Sequence, residues 1–113
     1  MITSDTDRNL AVHIAGGVGQ GNTLEISDRC TISDPTCTWS YQRGMLISDA
    51  DPRYAISGYG GADEGVVLAV TQYCTQDNPD CTFTYDRGEF LSDRDWSLGM
   101  NAWYGARPLA FRP

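Results

Sequence analysis

Apolar and polar residues alternate over short runs along this chain, and no stretch of ten or more residues carries helical periodicity. Residues 10–14 (LAVHI) and 54–57 (YAIS) alternate as half-buried strands do. Each is followed by a Gly-rich turn, at Gly16-Gly17 or Gly60-Gly61, and then by residues 24–26 (LEI) or 67–70 (VLAV). Residues 37–41 (CTWSY) and 81–85 (CTFTY) are rich in β-branched and aromatic side chains, which suit a pleated, half-buried surface. Residues 42–44 (QRG) and 86–88 (DRG) then predict hairpin turns, with Gly supplying positive φ. Residues 45–47 (MLI) and 89–91 (EFL) form a further strand that runs into a Ser-Asp-x-Asp turn, whose short polar side chains can hydrogen-bond the local backbone. The pattern predicts an all-β chain.

The pattern also recurs at a constant offset of 44 residues. Residues 2–45 and 46–89 share 16 identities without a gap, among them Ser4/Ser48, Gly16/Gly60, Leu24/Leu68, Cys30/Cys74, Cys37/Cys81, Tyr41/Tyr85 and Gly44/Gly88. A third, partial copy spans residues 90–113, where Ser92, Asp93, Asp95, Gly105 and Ala106 fall another 44 residues on. A unit of this length cannot bury its apolar face alone, so the copies are expected to pack as one domain over residues 1–113. Strand counting gives eleven of a possible twelve: residues 2–5 match 45–48 and 90–93, while the third copy lacks its Cys-Thr-Trp strand. The gap predicts an open edge, covered by Trp96, Trp103 or Tyr104 or paired in a homodimer through the incomplete third repeat.

Composition narrows the functions. The formal charge of −7 argues against nucleic acid, because phosphate binding needs a basic surface. No apolar run approaches the length of a membrane span, so no membrane insertion is expected. The opening MITSDTDRNL has neither a basic nor an apolar segment, and no signal peptide is expected there. The four cysteines form two pairs, Cys30/Cys37 and Cys74/Cys81, with spacing unlike zinc sites or CxxC redox motifs. Local disulfides are expected, free buried thiols being the alternative, and disulfides imply an extracellular or secreted setting. The repeated Ser-Asp-x-Asp offers carboxylates suited to Ca²⁺ but lacks further ligands, so it reads as solvated turns, and no metal or other cofactor is expected. There is no GxSxG elbow and a single histidine, His13, so no enzyme activity is expected.

Four strands per unit and three units make a β-trefoil, and the order Cys30…Cys37-Thr-Trp39-Ser-Tyr41-Gln-Arg-Gly44-Met-Leu46-Ile-Ser48 resembles the ricin-B-type lectin repeat. Trp39 and Phe83 stand at the Trp of that family's Gln-x-Trp motif and are expected at equivalent core positions, while Cys37 and Cys81 replace its Gln. The resemblance implies sugar pockets, each with an Asp late in the first strand, a stacking ring and an Asn before the motif. Here His13, Ser57 and Asn101 take the Asp position, and Thr36 and Asp80 the Asn position, so the usual galactose set is altered. The carbohydrate candidates are Ser57, Tyr59, Tyr73 and Asp80 in the second repeat, and Asn101, Trp103 and Tyr104 in the third. A non-catalytic glycan-binding module is the expectation. The alternative is a protein-binding module, such as a trefoil-type protease inhibitor or a structural interaction domain. A βγ-crystallin-like pair of Greek keys is the alternative fold, although its calcium signature is missing.

Overall fold

The computed structural model describes residues 1–4, 8–58, 61, 63–101 and 109–112. Two hairpins repeat each other. β3 (Trp39–Gln42) pairs with β4 (Met45–Ser48) from Trp39↔Ser48 to Gln42↔Met45. β7 (Phe83–Asp86) pairs with β8 (Glu89–Ser92) from Phe83↔Ser92 to Asp86↔Glu89, the same register 44 residues on. Both turns have two residues with positive φ, Arg43 (54°)-Gly44 (81°) and Arg87 (51°)-Gly88 (88°). This is the type I′ geometry whose twist matches the flanking strands, and it explains the glycine at each second position.

The strand leaving each hairpin pairs with the next one along. Ile47 of β4 lies opposite Ala55 of β5 (Ala55–Ser57), and Leu91 of β8 opposite Gly99 of β9 (Asp95–Asn101). Thr3 lies opposite Ala11 of β1 (Ala11–Ile14) in the corresponding way. β2 (Leu24–Ser27), β6 (Ala69–Thr71) and β10 (Ala110–Arg112) pair in turn with β1, β5 and β9. Together with residues 2–4 these make eleven extended segments among the described residues.

A closed ring of backbone bonds joins the three parts. The Leu24 amide donates to the Leu68 carbonyl (3.0 Å), Leu68 to Leu109 (2.8 Å) and Leu109 back to Leu24 (2.9 Å). A cycle of this kind needs three chain segments arranged about a pseudo-threefold axis, and the fold is a β-trefoil. The three leucines sit in a core with Val12, Ile14, Ile56, Val70, Phe83 and Phe111. Each such buried apolar side chain stabilises the fold by about 1.5–3 kcal/mol.

The pseudo-symmetry fails at the core position shared by Trp39 and Phe83. Phe83 is 1% exposed, and its amide donates to the Gly44 carbonyl of the preceding hairpin at 2.7 Å. Trp39 is only partly buried against the core, its indole Nε1 donating to the Val12 carbonyl at 3.3 Å. The two are therefore not equally buried, contrary to the expectation from sequence, because among the described residues no hairpin precedes β3 as β3–β4 precedes β7.

Candidate functional site

The Cys74–Cys81 loop and the end of β5 enclose an open cleft of about 270 Å³, lined by Gln20, Ser57, Gly58, Thr71, Tyr73, Asn78, Asp80 and Cys81. Its floor depends on small residues. Ser57 lies opposite Ala69 across β5 and β6, so neither side chain fills the space between them. Gly58 follows, with the core ring of Phe111 directly behind it: a Cβ at Gly58 would sit 2.5 Å from Phe111 Cε2.

The disulfide loop supplies the walls. Cys74 and Cys81 are bonded, as are Cys30 and Cys37, which is the pairing expected from sequence. Inside the loop, the Asn78 Oδ1 accepts from the Asp80 amide at 3.0 Å, a local turn that sets the direction of the Asp80 side chain. The Asp80 carbonyl accepts from the Gly58 amide at 2.9 Å and ties the loop to β5. One carboxylate oxygen of Asp80 accepts from Arg94 Nε at 2.6 Å, which orients the group.

On the opposite side, Gln20 reaches over from the β1–β2 connection. Its Nε2 donates to Thr71 Oγ1 at 2.7 Å and its Oε1 accepts from the Gln72 amide at 2.9 Å. Thr71 Oγ1 also accepts from the Tyr73 amide at 3.3 Å. Tyr73 itself is 71% exposed, so its ring stands at the rim with a face available for stacking. The cleft thus brings together an aromatic face, a partly exposed carboxylate and hydroxyls of Ser57 and Thr71. That set can grip a polyol ring, with the aromatic against C–H bonds and the polar groups against hydroxyls.

The corresponding place in the first repeat is built differently. His13 and Glu25 replace Ser57 and Ala69, and the pair closes on itself with Nδ1 and Oε1 2.9 Å apart. Arg29 stands in place of Tyr73, and Thr36 in place of Asp80. The Thr36 hydroxyl and amide both donate to Asp34, at 2.6 and 3.0 Å, and these bonds hold its carboxyl below the usual carboxylate range. His13, Asp34 and Cys37 approach within 4.8 Å of one another. Cys37 is spent in its disulfide and His13 Nδ1 on Glu25, so this trio offers a metal ion little. The acidic turns are likewise engaged locally. Asp51 receives the Arg53 guanidinium, and Asp95 the Ser97 hydroxyl and amide.

Of the candidates named from sequence, Ser57, Tyr73 and Asp80 line this cleft. Asn101 ends β9 as an exposed residue and does not line the cleft. Tyr59, Trp103 and Tyr104 lie outside the described residues. Gln20, Thr71, Asn78 and Arg94 were not singled out from sequence. Of these, only Asn78 carried a signal: it stands 44 residues after Asp34, with Pro next in both copies.

No protein-family profile and no curated protein matches the sequence. Several solved structures are similar in shape, among them the following three. An earthworm R-type lectin C-half, in complex with GalNAc, superposes with a TM-score of 0.76 at 15% identity over 98% of this chain and 85% of that one. An earthworm lectin C-terminal domain mutant, in complex with 6′-sialyllactose, gives 0.72 at 13% identity over 96% of this chain and 83% of that one. A mosquitocidal holotoxin gives 0.74 at 14% identity over 97% of this chain, which spans only 15% of the toxin chain. At these identities the likeness establishes the fold, and that fold is the β-trefoil of R-type, ricin-B-like lectins.

Proposed function

From the R-type lectin fold and the second-repeat cleft as premises, we propose that this chain is a non-catalytic carbohydrate-binding module that seats a sugar ring against Tyr73 and Asp80. The single observation that carries the reading is that Ser57, Tyr73 and Asp80, distant in sequence, line one open cleft. The solved lectins of this fold hold GalNAc and 6′-sialyllactose, which makes glycans the first ligands to test. The first repeat contributes no equivalent site, because the His13–Glu25 pair occupies the space that Ser57 and Ala69 leave open. The two disulfides support an oxidising, extracellular setting for the module.

A glycan array tests the reading. The wild-type chain should bind one glycan class. Tyr73→Ala, which removes an exposed ring, should weaken that binding by about tenfold, and Ser57→His should abolish it by filling the cleft. A blank array for a folded wild-type chain, or a signal unchanged in both variants, defeats the proposal. Tight capture of a protein partner alongside a blank array would favour the protein-binding alternative.

A further inference from the structure

We propose that the first repeat carries a redox-gated zinc site: when a dithiol reduces the Cys30–Cys37 bond, Cys30, Cys37, His13 and Asp34 bind a Zn²⁺ ion that the closed disulfide excludes. This goes beyond sugar binding, which belongs to the second repeat, and does not depend on it.

Four donors converge here. A ring nitrogen of His13, a carboxylate oxygen of Asp34 and the Sγ of Cys37 all lie within 4.8 Å of one another, and Cys30 is bonded to Cys37. Zinc bonds of about 2.0–2.3 Å set tetrahedral ligand atoms roughly 3–4 Å apart, so these donors need to close in by about 1 Å. In the disulfide the two sulfurs are neutral and weak donors. As thiolates, beside an imidazole and a carboxylate, they complete a four-ligand set that suits zinc.

The fold positions the donors by bonds that reduction leaves intact. His13 stands on β1, which packs against the 3₁₀ turn Pro35–Cys37. Asp34 caps that turn: its Oδ1 takes the Thr36 amide and hydroxyl, its amide donates to the Thr31 carbonyl at 3.1 Å, and its carbonyl accepts from the Cys37 amide at 3.0 Å. Cys37 is 1% exposed, so little water competes there. Across the β1–β2 pair, His13 Nδ1 meets Glu25 Oε1 at 2.9 Å. An ionised carboxylate can only accept, so Nδ1 carries the proton and Nε2 of the neutral ring keeps a free lone pair. A histidine that gives its other N–H to a carboxylate is the usual form of a zinc ligand, because that bond fixes the tautomer and raises the basicity of the ligating nitrogen.

The second repeat supplies the contrast. Cys74–Cys81 closes the same loop, but Ser57 stands for His13, Asn78 for Asp34 and Ala69 for Glu25. No comparable set of donors surrounds Cys81 among the described residues. Reduction is a two-electron exchange. The dithiol attacks the S–S bond, closes its own disulfide and leaves Cys30 and Cys37 as thiols, and zinc binding then releases both thiol protons to solvent. The chain is in this state before its disulfide forms, or wherever dithiols are abundant.

The test uses the full chain with Cys74→Ser and Cys81→Ser, so that only the first loop can be reduced. The reductant is a phosphine, which delivers the same two electrons without adding a thiol ligand. Zinc titration should show a single site per chain, about a hundredfold tighter in the reduced than in the oxidised form. Co²⁺ should give a thiolate-to-metal charge-transfer band in the reduced form alone. His13→Ser and Asp34→Asn should each weaken zinc binding about tenfold or more in the reduced form, with the circular dichroism of the oxidised form unchanged. The reciprocal chain, with Cys30→Ser and Cys37→Ser, keeps Cys74 and Cys81 and should bind zinc no better reduced than oxidised. Zinc affinity that reduction of the first loop does not raise overturns the proposal. So does equal affinity in the two reduced chains, or affinity that His13→Ser and Asp34→Asn both leave intact. If the reduced chain unfolds without metal, zinc should restore its circular dichroism, and failure to do so overturns the proposal as well.

Discussion

Replacing Phe83 by alanine should cost far more stability than replacing Trp39, although tryptophan is the larger residue and the two stand at matching places in the repeat. Phe83 is 1% exposed and packs at a tilt against Phe111, with ring centroids 6.5 Å apart. Its carbonyl also accepts the Tyr41 hydroxyl. Deleting a ring from a site enclosed on all sides leaves a cavity as well as losing transfer free energy, a cost of about 3–5 kcal/mol. Trp39 is only partly buried, so water already wets part of the indole and can occupy the space it leaves. Its loss removes roughly half that transfer energy and one hydrogen bond to Val12, about 2 kcal/mol together. Against a total stability of about 5–15 kcal/mol, Phe83→Ala should remain folded but with a much lower urea midpoint. Urea unfolding followed by circular dichroism avoids depending on Trp39 fluorescence, and an unchanged m-value would show that stability alone has moved. If Trp39→Ala proves as costly as Phe83→Ala, the asymmetric burial of the two repeats is wrong.

Gly58→Ala should destabilise by about 1–3 kcal/mol in a thermal melt, because the new methyl would meet Phe111 Cε2 at 2.5 Å and Cζ at 2.9 Å; a neutral outcome would mean that the cleft floor is not packed on that ring. Stability should also have an acid limb. Hydrogen bonds from Thr36 to Asp34, from Arg53 to Asp51 and from Ser97 to Asp95 lower these carboxyls from the ordinary value of 3.8. A depressed folded-state pKa contributes stability above the unfolded value and loses it as pH falls through the folded one. The urea midpoint should therefore hold down to roughly pH 4 and decline below it, with Asp95→Asn and Asp34→Asn making that decline shallower. A midpoint that rises as the solution is acidified below pH 4 would contradict the assignment.

The strands and turns were legible because each strand is a short β-branched or aromatic run ended by a turn residue. The Arg-Gly pairs at 43–44 and 87–88 announce hairpins by chemistry alone. The disulfides were legible from spacing within one repeat. The unequal burial of Trp39 and Phe83 was not, because it depends on which hairpin lies next in space. The cleft was half legible. Ser57, Tyr73 and Asp80 occupy places that a known repeat marks, whereas Gln20 and Arg94 come from other parts of the chain and act by reaching across. Gln20 bonds to Thr71 and Gln72, more than 50 residues away in sequence, and nothing local to Gln20 announces that role. The closure of the first-repeat site also needed coordinates, since it depends on His13 and Glu25 being opposite each other on β1 and β2.

The central claim is that one cleft, in the second repeat, is built to take a sugar. Its most direct test is a titration of the ¹⁵N-labelled chain with the glycan giving the strongest array signal, followed through amide chemical shifts. Saturable shifts at Gln20, Gly58, Thr71, Tyr73 and Asp80, with His13, Glu25 and Thr36 unmoved, are the predicted result. Shifts that saturate at His13 and Thr36 instead, or a spectrum that no glycan changes, would contradict it.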